Sequence, residues 1–555
     1  MNFAALLVQE LKQFECEALF GIPGDFILPL LCELQDNGAL PFYTLNHEPS
    51  VIYAADAAAR IRQRPQAALL TYGAGALNAV NAIAQAYVER VPLVILAGFP
   101  AQQEIDRNVA IHHQAKDLDS QRRILSEVTE LQVRLNNPTT ASGQLRAALQ
   151  CCRETSRPVL IEIPRDAISF NCVPLPPYHP PQMPEREAVK LASYLLQRLQ
   201  NARQPVFLVG IEVQRFGAAQ AVEDLALQLN IPIVTSFLAR ASISHDHPCY
   251  HGTFIDESDT HAYQLLQESD LIIHLGVIVT DSNFAAYPSF VRGDVVVQLH
   301  QGTTYLPHER CFDTDLQALC LRLLSYHLPP YSTWFEPTPA SEFDPHLAWN
   351  STTVVELIDA QLSSQDACVP IISDVGDCLF ASLHADASHV IAPAYYASMG
   401  YSIPAALGVH VTTGLRSVVL VGDGAFLMTG LELCQAIHFG ACPIVVLFNN
   451  RRWDMIEAFA PELTCTSLPE CDFQRLSQAL GAVTHQANDA QSFDAAFNAA
   501  WADSNRLQVI EVQLGHERSA RLTRFADAFT QRLDKGMMQR GSFDVSDHTL
   551  TDSER

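Results

Sequence analysis

The sequence predicts an α/β protein made of three doubly wound domains. Three observations lead there. Short apolar runs rich in β-branched residues alternate with segments of helical periodicity along most of the 555 residues. Two proline-rich stretches interrupt that rhythm, Pro174–Pro184 (PLPPYHPPQMP) and a second covering 326–345. The blocks between them each have the length of an ordinary domain. The expected division is 1–175, 186–325 and 346–540, followed by a polar tail at 541–555.

The chain opens on a helix, with Phe3, Leu6, Leu7, Leu11 and Phe14 on one face. Glu10 and Lys12 interrupt it, so the segment does not read as a signal peptide. No apolar run approaches the ~20 residues that cross a bilayer. Phe42–Leu45, Ala67–Thr71, Pro92–Ala97 and Pro158–Ile163 read as strands of the first block. Pro205–Val209, Ile231–Thr235, Leu271–Leu275 and Val295–Leu299 repeat the pattern in the second. That block lacks a glycine-rich phosphate loop and reads as structural or regulatory.

The third block begins its sheet at Val369–Ser373 and holds the most informative stretch, residues 417–454. Val418 to Val421 form a strand, and Gly422-Asp423-Gly424 breaks it. Residues 426–439 carry Leu427, Leu431, Cys434 and Ile437 at the spacing of one helix. Ile444 to Phe448 form a second strand, stopped by Asn449-Asn450. Such a βαβ unit is parallel and right-handed. It brings Asp423 and Asn450 to neighbouring carboxyl strand ends, where open α/β sheets bind ligands.

Composition narrows the function. Lys and Arg number 35 against 61 Asp and Glu, a net charge of −26. That excess disfavours nucleic acid or an anionic membrane as partner. The 14 cysteines form no CxxC pair, and Cys151-Cys152 are adjacent, so reduced thiols in a cytoplasmic protein are expected. The GDG turn is no dinucleotide fingerprint, because the third glycine position holds Leu427. This argues against a nicotinamide dehydrogenase.

A lone GDG is an ordinary turn, and a lone NN is a loop. On two strand ends of one unit they mean more. A carboxylate and an amide oxygen are hard ligands suited to Mg²⁺, and glycines let main chain approach phosphate. GDG followed by NN, with Asp423 and Asn450 27 positions apart, resembles the signature of thiamine-diphosphate enzymes. His112-His113, GDCLF at 376–380, YYASMG at 395–400 and NN-x-x-W at 449–453 resemble the phenylpyruvate and indolepyruvate decarboxylase branch.

The resemblance implies specific roles. Asp423 and Asn450 bind Mg²⁺ through side chains and Arg452 through its main-chain carbonyl. Gly422, Gly424, Ala425, Asp377 and Cys378 lie along the diphosphate. The Ala397 carbonyl accepts from the pyrimidine amino group, and Met399 is the wedge that bends the cofactor. Glu48, in LNHEPS, bonds the pyrimidine ring from a partly desolvated site; read alone, it is a solvated loop carboxylate. Asp25, in GIPGDF, is a catalytic acid, where the plain reading is a turn aspartate. His112 and His113 transfer protons and recognise the carboxylate, although adjacent loop histidines are ordinarily surface residues. Thr71 and Gly73 line the pyrimidine and substrate side.

One position departs from the family pattern. Pyruvate decarboxylases carry a glutamate six residues after the metal-binding Asn, where this chain has Ile456 followed by Glu457. One residue on a helix turns a side chain by about 100°, so Glu457 is no substitute. Leu379, Met455, Ile456 and Phe459 then leave room for an aryl or long alkyl group. The implied reaction is nonoxidative decarboxylation of a 2-oxo acid, phenylpyruvate or indolepyruvate first, through a cofactor ylide and an enamine. The implied assembly is a homodimer sharing its cofactors, or a tetramer of such pairs. An acetolactate-synthase-type carboligase and a non-catalytic regulatory protein are the alternatives. The histidine pair weighs against the first, and Glu48, Asp423 and Asn450 against the second.

Overall fold

Buried apolar runs set the architecture, because a strand covered on both faces must be apolar throughout. The computed structural model describes residues 1–534 apart from 38–39, 258, 281–286, 307–308, 336–347, 365–368, 384 and 386–389. The tail at 541–555 and part of the second proline-rich stretch lie outside these residues. Three parallel sheets with flanking helices make three α/β domains.

The first sheet holds β1 (Leu19–Gly21), β2 (Phe42–Thr44), β3 (Gln66–Leu70), β4 (Leu93–Phe99), β5 (Leu131–Arg134) and β6 (Val159–Pro164). Their order is β2-β1-β3-β4-β6-β5. The second holds β7 (Pro205–Val209), β8 (Ile233–Ser236), β9 (Tyr250–Phe254), β10 (Leu271–Leu275) and β11 (Val296–Leu299), ordered β11-β10-β7-β8-β9. A two-stranded antiparallel ribbon, β12 (Gly302–Leu306) and β13 (Glu309–Thr314), follows it. The third holds β14 (Ile371–Ser373), β15 (Val390–Ile391), β16 (Val418–Gly422), β17 (Ile444–Asn449), β18 (Val483–Ala487) and β19 (Gln508–Gln513). It runs β15-β14-β16-β17-β19-β18.

Two expectations need correcting. Residues 426–439 are not one helix: Asp423–Thr429 and Leu433–His438 are separate helices joined by a 3₁₀ turn, Gly430–Glu432. Only part of their apolar stripe turns into the core: Ile437 packs against it, but Leu427 is 44% and Leu431 61% exposed. Glu48 is not a loop residue but opens the helix Glu48–Arg62, with Pro49 in its first turn.

The first and third domains share one core. Helix Glu48–Arg62 is rich in alanine and packs against helix Ser402–Thr413. Gly408 allows the approach: a Cβ built there stands 1.9 Å from the carbonyl oxygen of Ala54. Buried polar groups cross the same boundary. Asp56 accepts from the Tyr401 hydroxyl (2.7 Å) and pairs with Arg60, which also pairs with Glu89 (2.8 Å). On the other side, the Glu432 carboxylate accepts the Asn46 N–H (3.1 Å). The second domain is tied on by Arg240, which donates to the Ser382 carbonyl (2.6 Å), and by Asp259, paired with Arg521 (2.7 Å).

Candidate active site

Strand order explains why residues distant in sequence meet. Glu48 follows β2, Asp25 follows β1, Thr71 follows β3, and His112 and His113 lie in the loop after β4. These four strands are consecutive neighbours in the first sheet. His112 Nε2 is 2.6 Å from Asp25 Oδ2, and Arg165 donates to the same oxygen (3.3 Å). Ligand atoms of Asp25, His112 and His113 all lie within 4.8 Å of one another. Thr71 Oγ1 is 3.5 Å from Asp25 Oδ1. Burial alone would raise the Asp25 carboxyl, but the His112 hydrogen bond and the charges of His112, Arg165 and His113 hold it below its ordinary value. Glu48 is half-buried and its Oε2 accepts from Asn78 Nδ2 (2.7 Å). Gly73 has φ 60°, and a Cβ there would stand 1.9 Å from the His113 carbonyl oxygen. Only glycine lets the two loops close on each other here.

The third domain repeats the plan. Asp377 follows β14, Asp423 follows β16 and Asn450 follows β17, on adjacent strands. Asp423 is 4% exposed. Its oxygens accept the N–H groups of Gly424 (2.8 Å) and Arg451 (2.6 Å). Burial pushes its carboxyl up to about 6, against the pull of the backbone N–H groups. Among the described residues no cationic side chain pairs with it. Arg452, though close in sequence, gives its guanidinium to Asp454 (2.9 Å) and the Gly515 carbonyl (2.8 Å). Asn450 Oδ1 accepts the Arg452 N–H (3.2 Å). A buried carboxylate without a counter-charge, beside an amide oxygen, is a donor set that fits a hard divalent cation.

Asp423, Gly422, Gly424, Ala425 and Asn450 line a cavity of about 370 Å³. Asp377, Cys378, Ala397, Met399 and Arg452 line it too. Asp377 gives both oxygens to serines: Oδ1 accepts from Ser519 Oγ (2.5 Å) and Oδ2 from Ser351 Oγ. Gly424 faces the Trp453 ring, which a Cβ would strike at 2.1 Å. Ala397 takes a left-handed φ of 62°. None of Asp25, Glu48, Thr71, Gly73, His112 or His113 is among the residues lining this cavity in one chain.

Family models match the chain in order along its length. The thiamine pyrophosphate enzyme N-terminal TPP binding domain matches residues 1–122, the central domain 192–315 and the C-terminal TPP binding domain 374–512. Indole-3-pyruvate decarboxylase of Azospirillum brasilense is 34% identical over 523 residues, 93% of this chain and 95% of the relative. The chain belongs to the thiamine-diphosphate-dependent 2-oxo-acid decarboxylases. Pyruvate decarboxylase of Aspergillus parasiticus is 26% identical, with 81% of this chain and 82% of the relative covered. Alpha-keto-acid decarboxylase of Mycolicibacterium paratuberculosis is also 26% identical, covering 92% and 93%. The protein is therefore an enzyme, its cofactor is thiamine diphosphate and its reaction is decarboxylation of a 2-oxo acid.

As a decarboxylase, the chain shows walls that sequence reasoning missed. Phe237 reaches the cavity from the second domain and Phe525 from the helix Ala520–Asp534. Their rings lie 5.9 and 5.0 Å from Phe380. Nothing local to either residue marks it, since each matters only through where its element is carried. Leu379, Met455 and Ile456 line the cavity too. Glu457 is not among its lining residues and is ion-paired with Arg518 (2.9 Å).

Proposed function

We propose that this decarboxylase acts without oxidation on 2-oxo acids with bulky apolar side chains, phenylpyruvate and indolepyruvate first, releasing the aldehyde and CO₂. The observation that carries this reading is the cavity beside Asp423 and Asn450, walled by Leu379, Ile456, Phe380, Phe237 and Phe525. An aryl group finds apolar and aromatic contacts there. The name of the relative from Azospirillum brasilense, an indole-3-pyruvate decarboxylase, supports such a substrate.

Asp423 and Asn450 would hold Mg²⁺ through their side-chain oxygens, together with the Arg452 carbonyl, and the ion would supply positive charge for a diphosphate. Bound thiamine diphosphate supplies an activated carbon and an electron sink. The apolar walls exclude water, which favours loss of carboxylate charge. Glu48 would hydrogen-bond the pyrimidine ring, its Oε2 fixed by the Asn78 amide. His112 holds or passes a proton at Nε2 against the ionised Asp25, and His113 lies beside it. With Ile456 in place of a second carboxylate, these groups carry the final protonation.

The active unit is a homodimer or a dimer of dimers. The first-domain cluster and the third-domain cavity are separate in one chain, and a second copy brings one against the other. The exposed Leu427, Met428 and Leu431 suit such cover. The enzyme works in the cytoplasm. Buried free thiols such as Cys16, Cys152 and Cys378, with no disulfide among the described residues, agree with a reducing compartment. Among the described residues no helix is long and apolar enough to cross a membrane.

Incubation with thiamine diphosphate, Mg²⁺ and pyruvate, 2-oxoisovalerate, phenylpyruvate or indolepyruvate tests the reading. Aldehyde that needs both cofactor and metal, fastest from the aromatic acids, is expected. Hydroxy-ketone as the main product would replace it with carboligation.

A further inference from the structure

We propose that Glu89 and Gln85 of the first domain are positioning residues that preset the backbone at Ala397 for the cofactor. The inference rests on the reading above, in which the Ala397 carbonyl meets the pyrimidine amino group.

Ala397 has φ 62°, a conformation that a residue with a Cβ holds only when its surroundings fix it. Apolar packing does not fix this segment, since Tyr395, Tyr396 and Ala397 are all exposed. Hydrogen bonds do. Glu89 Oε1 accepts the N–H groups of both Tyr395 and Tyr396, each at 2.8 Å. Gln85 Oε1 accepts the N–H of Ser398 (3.2 Å), and Asn81 Nδ2 donates to the Ser398 hydroxyl (3.3 Å). The residues on both sides of Ala397 are thus pinned from one source.

That source is a single helical face. Asn81, Gln85 and Glu89 are four residues apart along the helix Val80–Val88, Glu89 being its C-cap. Glu89 is fully buried, and its other oxygen pairs with Arg60 (2.8 Å). A carboxylate acceptor makes stronger bonds to N–H groups than a neutral one. The helix packs within the first domain, yet its polar face is spent on a loop of the third. Cofactor affinity of the third domain therefore depends on side chains of the first.

Calorimetric titration of apo-protein with thiamine diphosphate and Mg²⁺ tests this on wild type, Glu89→Ala, Glu89→Gln and Gln85→Ala, each with a thermal melt. Glu89→Ala should weaken cofactor binding by about tenfold or more, and Gln85→Ala by about threefold to tenfold. Glu89→Gln keeps an acceptor for both N–H groups and should bind more tightly than Glu89→Ala. A purely structural role gives lower melting temperatures with unchanged affinity, and that result overturns the proposal. If Glu89→Ala does not fold because Arg60 loses one of its two buried carboxylate partners, Gln85→Ala decides, and wild-type affinity there overturns it. Wild-type protein that binds no thiamine diphosphate would sink the cofactor reading itself, a different outcome from unchanged variants.

Discussion

The first and third domains both place their functional residues after adjacent parallel strands, yet Asp423 is 4% exposed while the side chains of Asp25 and His112 are 40% and 60% exposed. The proposed cation site is built by its own chain: the backbone N–H groups of Gly424 and Arg451 hold the Asp423 carboxylate. The Asp25–His112–His113 cluster is held by side-chain contacts across loops and is partly exposed. Binding an ion needs fixed donors at short distance, which local backbone can supply. Moving protons to a substrate needs groups that stay accessible until the site is covered. In the proposed dimer, the contrast separates what one chain completes alone from what it completes with a second copy.

The largest test of that contrast is Asp423→Ala. It should abolish cofactor retention and lower turnover by about a thousandfold or more, and chelation of Mg²⁺ should do the same. Gel filtration followed by cofactor assay reads it. Retained cofactor would mean that the cation site is not the anchor. Glu48→Gln comes next. Turnover should fall by about 10²–10⁴-fold while cofactor stays bound, which separates the two centres cleanly.

Asp25→Asn should cost about a hundredfold in kcat. Its pH dependence sharpens the point. The folded-state value of Asp25 lies below the ordinary carboxylate value, so its bond to His112 is fully present above that range and fades only as pH falls through the lowered value. Asp25→Asn should therefore lower the whole profile without moving an acid limb that lies above about pH 5. A shifted limb would show that the limb depends on the hydrogen-bonded Asp25–His112 pair. The smallest effect is one of specificity. Leu379→Trp should shift kcat/KM towards pyruvate over phenylpyruvate by about 10- to 100-fold, and an unchanged substrate profile would remove Leu379 from the pocket's selectivity.

Much of the sheet architecture was legible because a strand buried on both faces leaves a continuous apolar run. Pro205–Val209 and Leu271–Leu275 are strands over the residues expected. The ribbon β12–β13 escaped notice, since Gly302–Leu306 is short, polar and partly exposed. The helix after Asp423 was misread because periodicity reports an apolar face but not what covers it. Leu427 and Leu431 have the right spacing and face away from their own core. Among site residues, Asp423 and Asn450 were legible from one βαβ unit, whose pairing rules fix where strand ends fall. Asp25, Glu48 and His112 converge through the order of β2, β1, β3 and β4, which spacing alone does not encode. Phe237 and Phe525 depend on how whole domains dock.

The contact between Gly408 and Ala54 makes the helix Glu48–Arg62 a lever. Its fulcrum lies about 9 Å along the axis from Glu48, the rise of six residues. A methyl group at 408 would act as a jack under that beam. Tilt at the pivot would reach the end bearing Glu48 as misaim, so a missing side chain in one domain keeps a carboxylate of another on target.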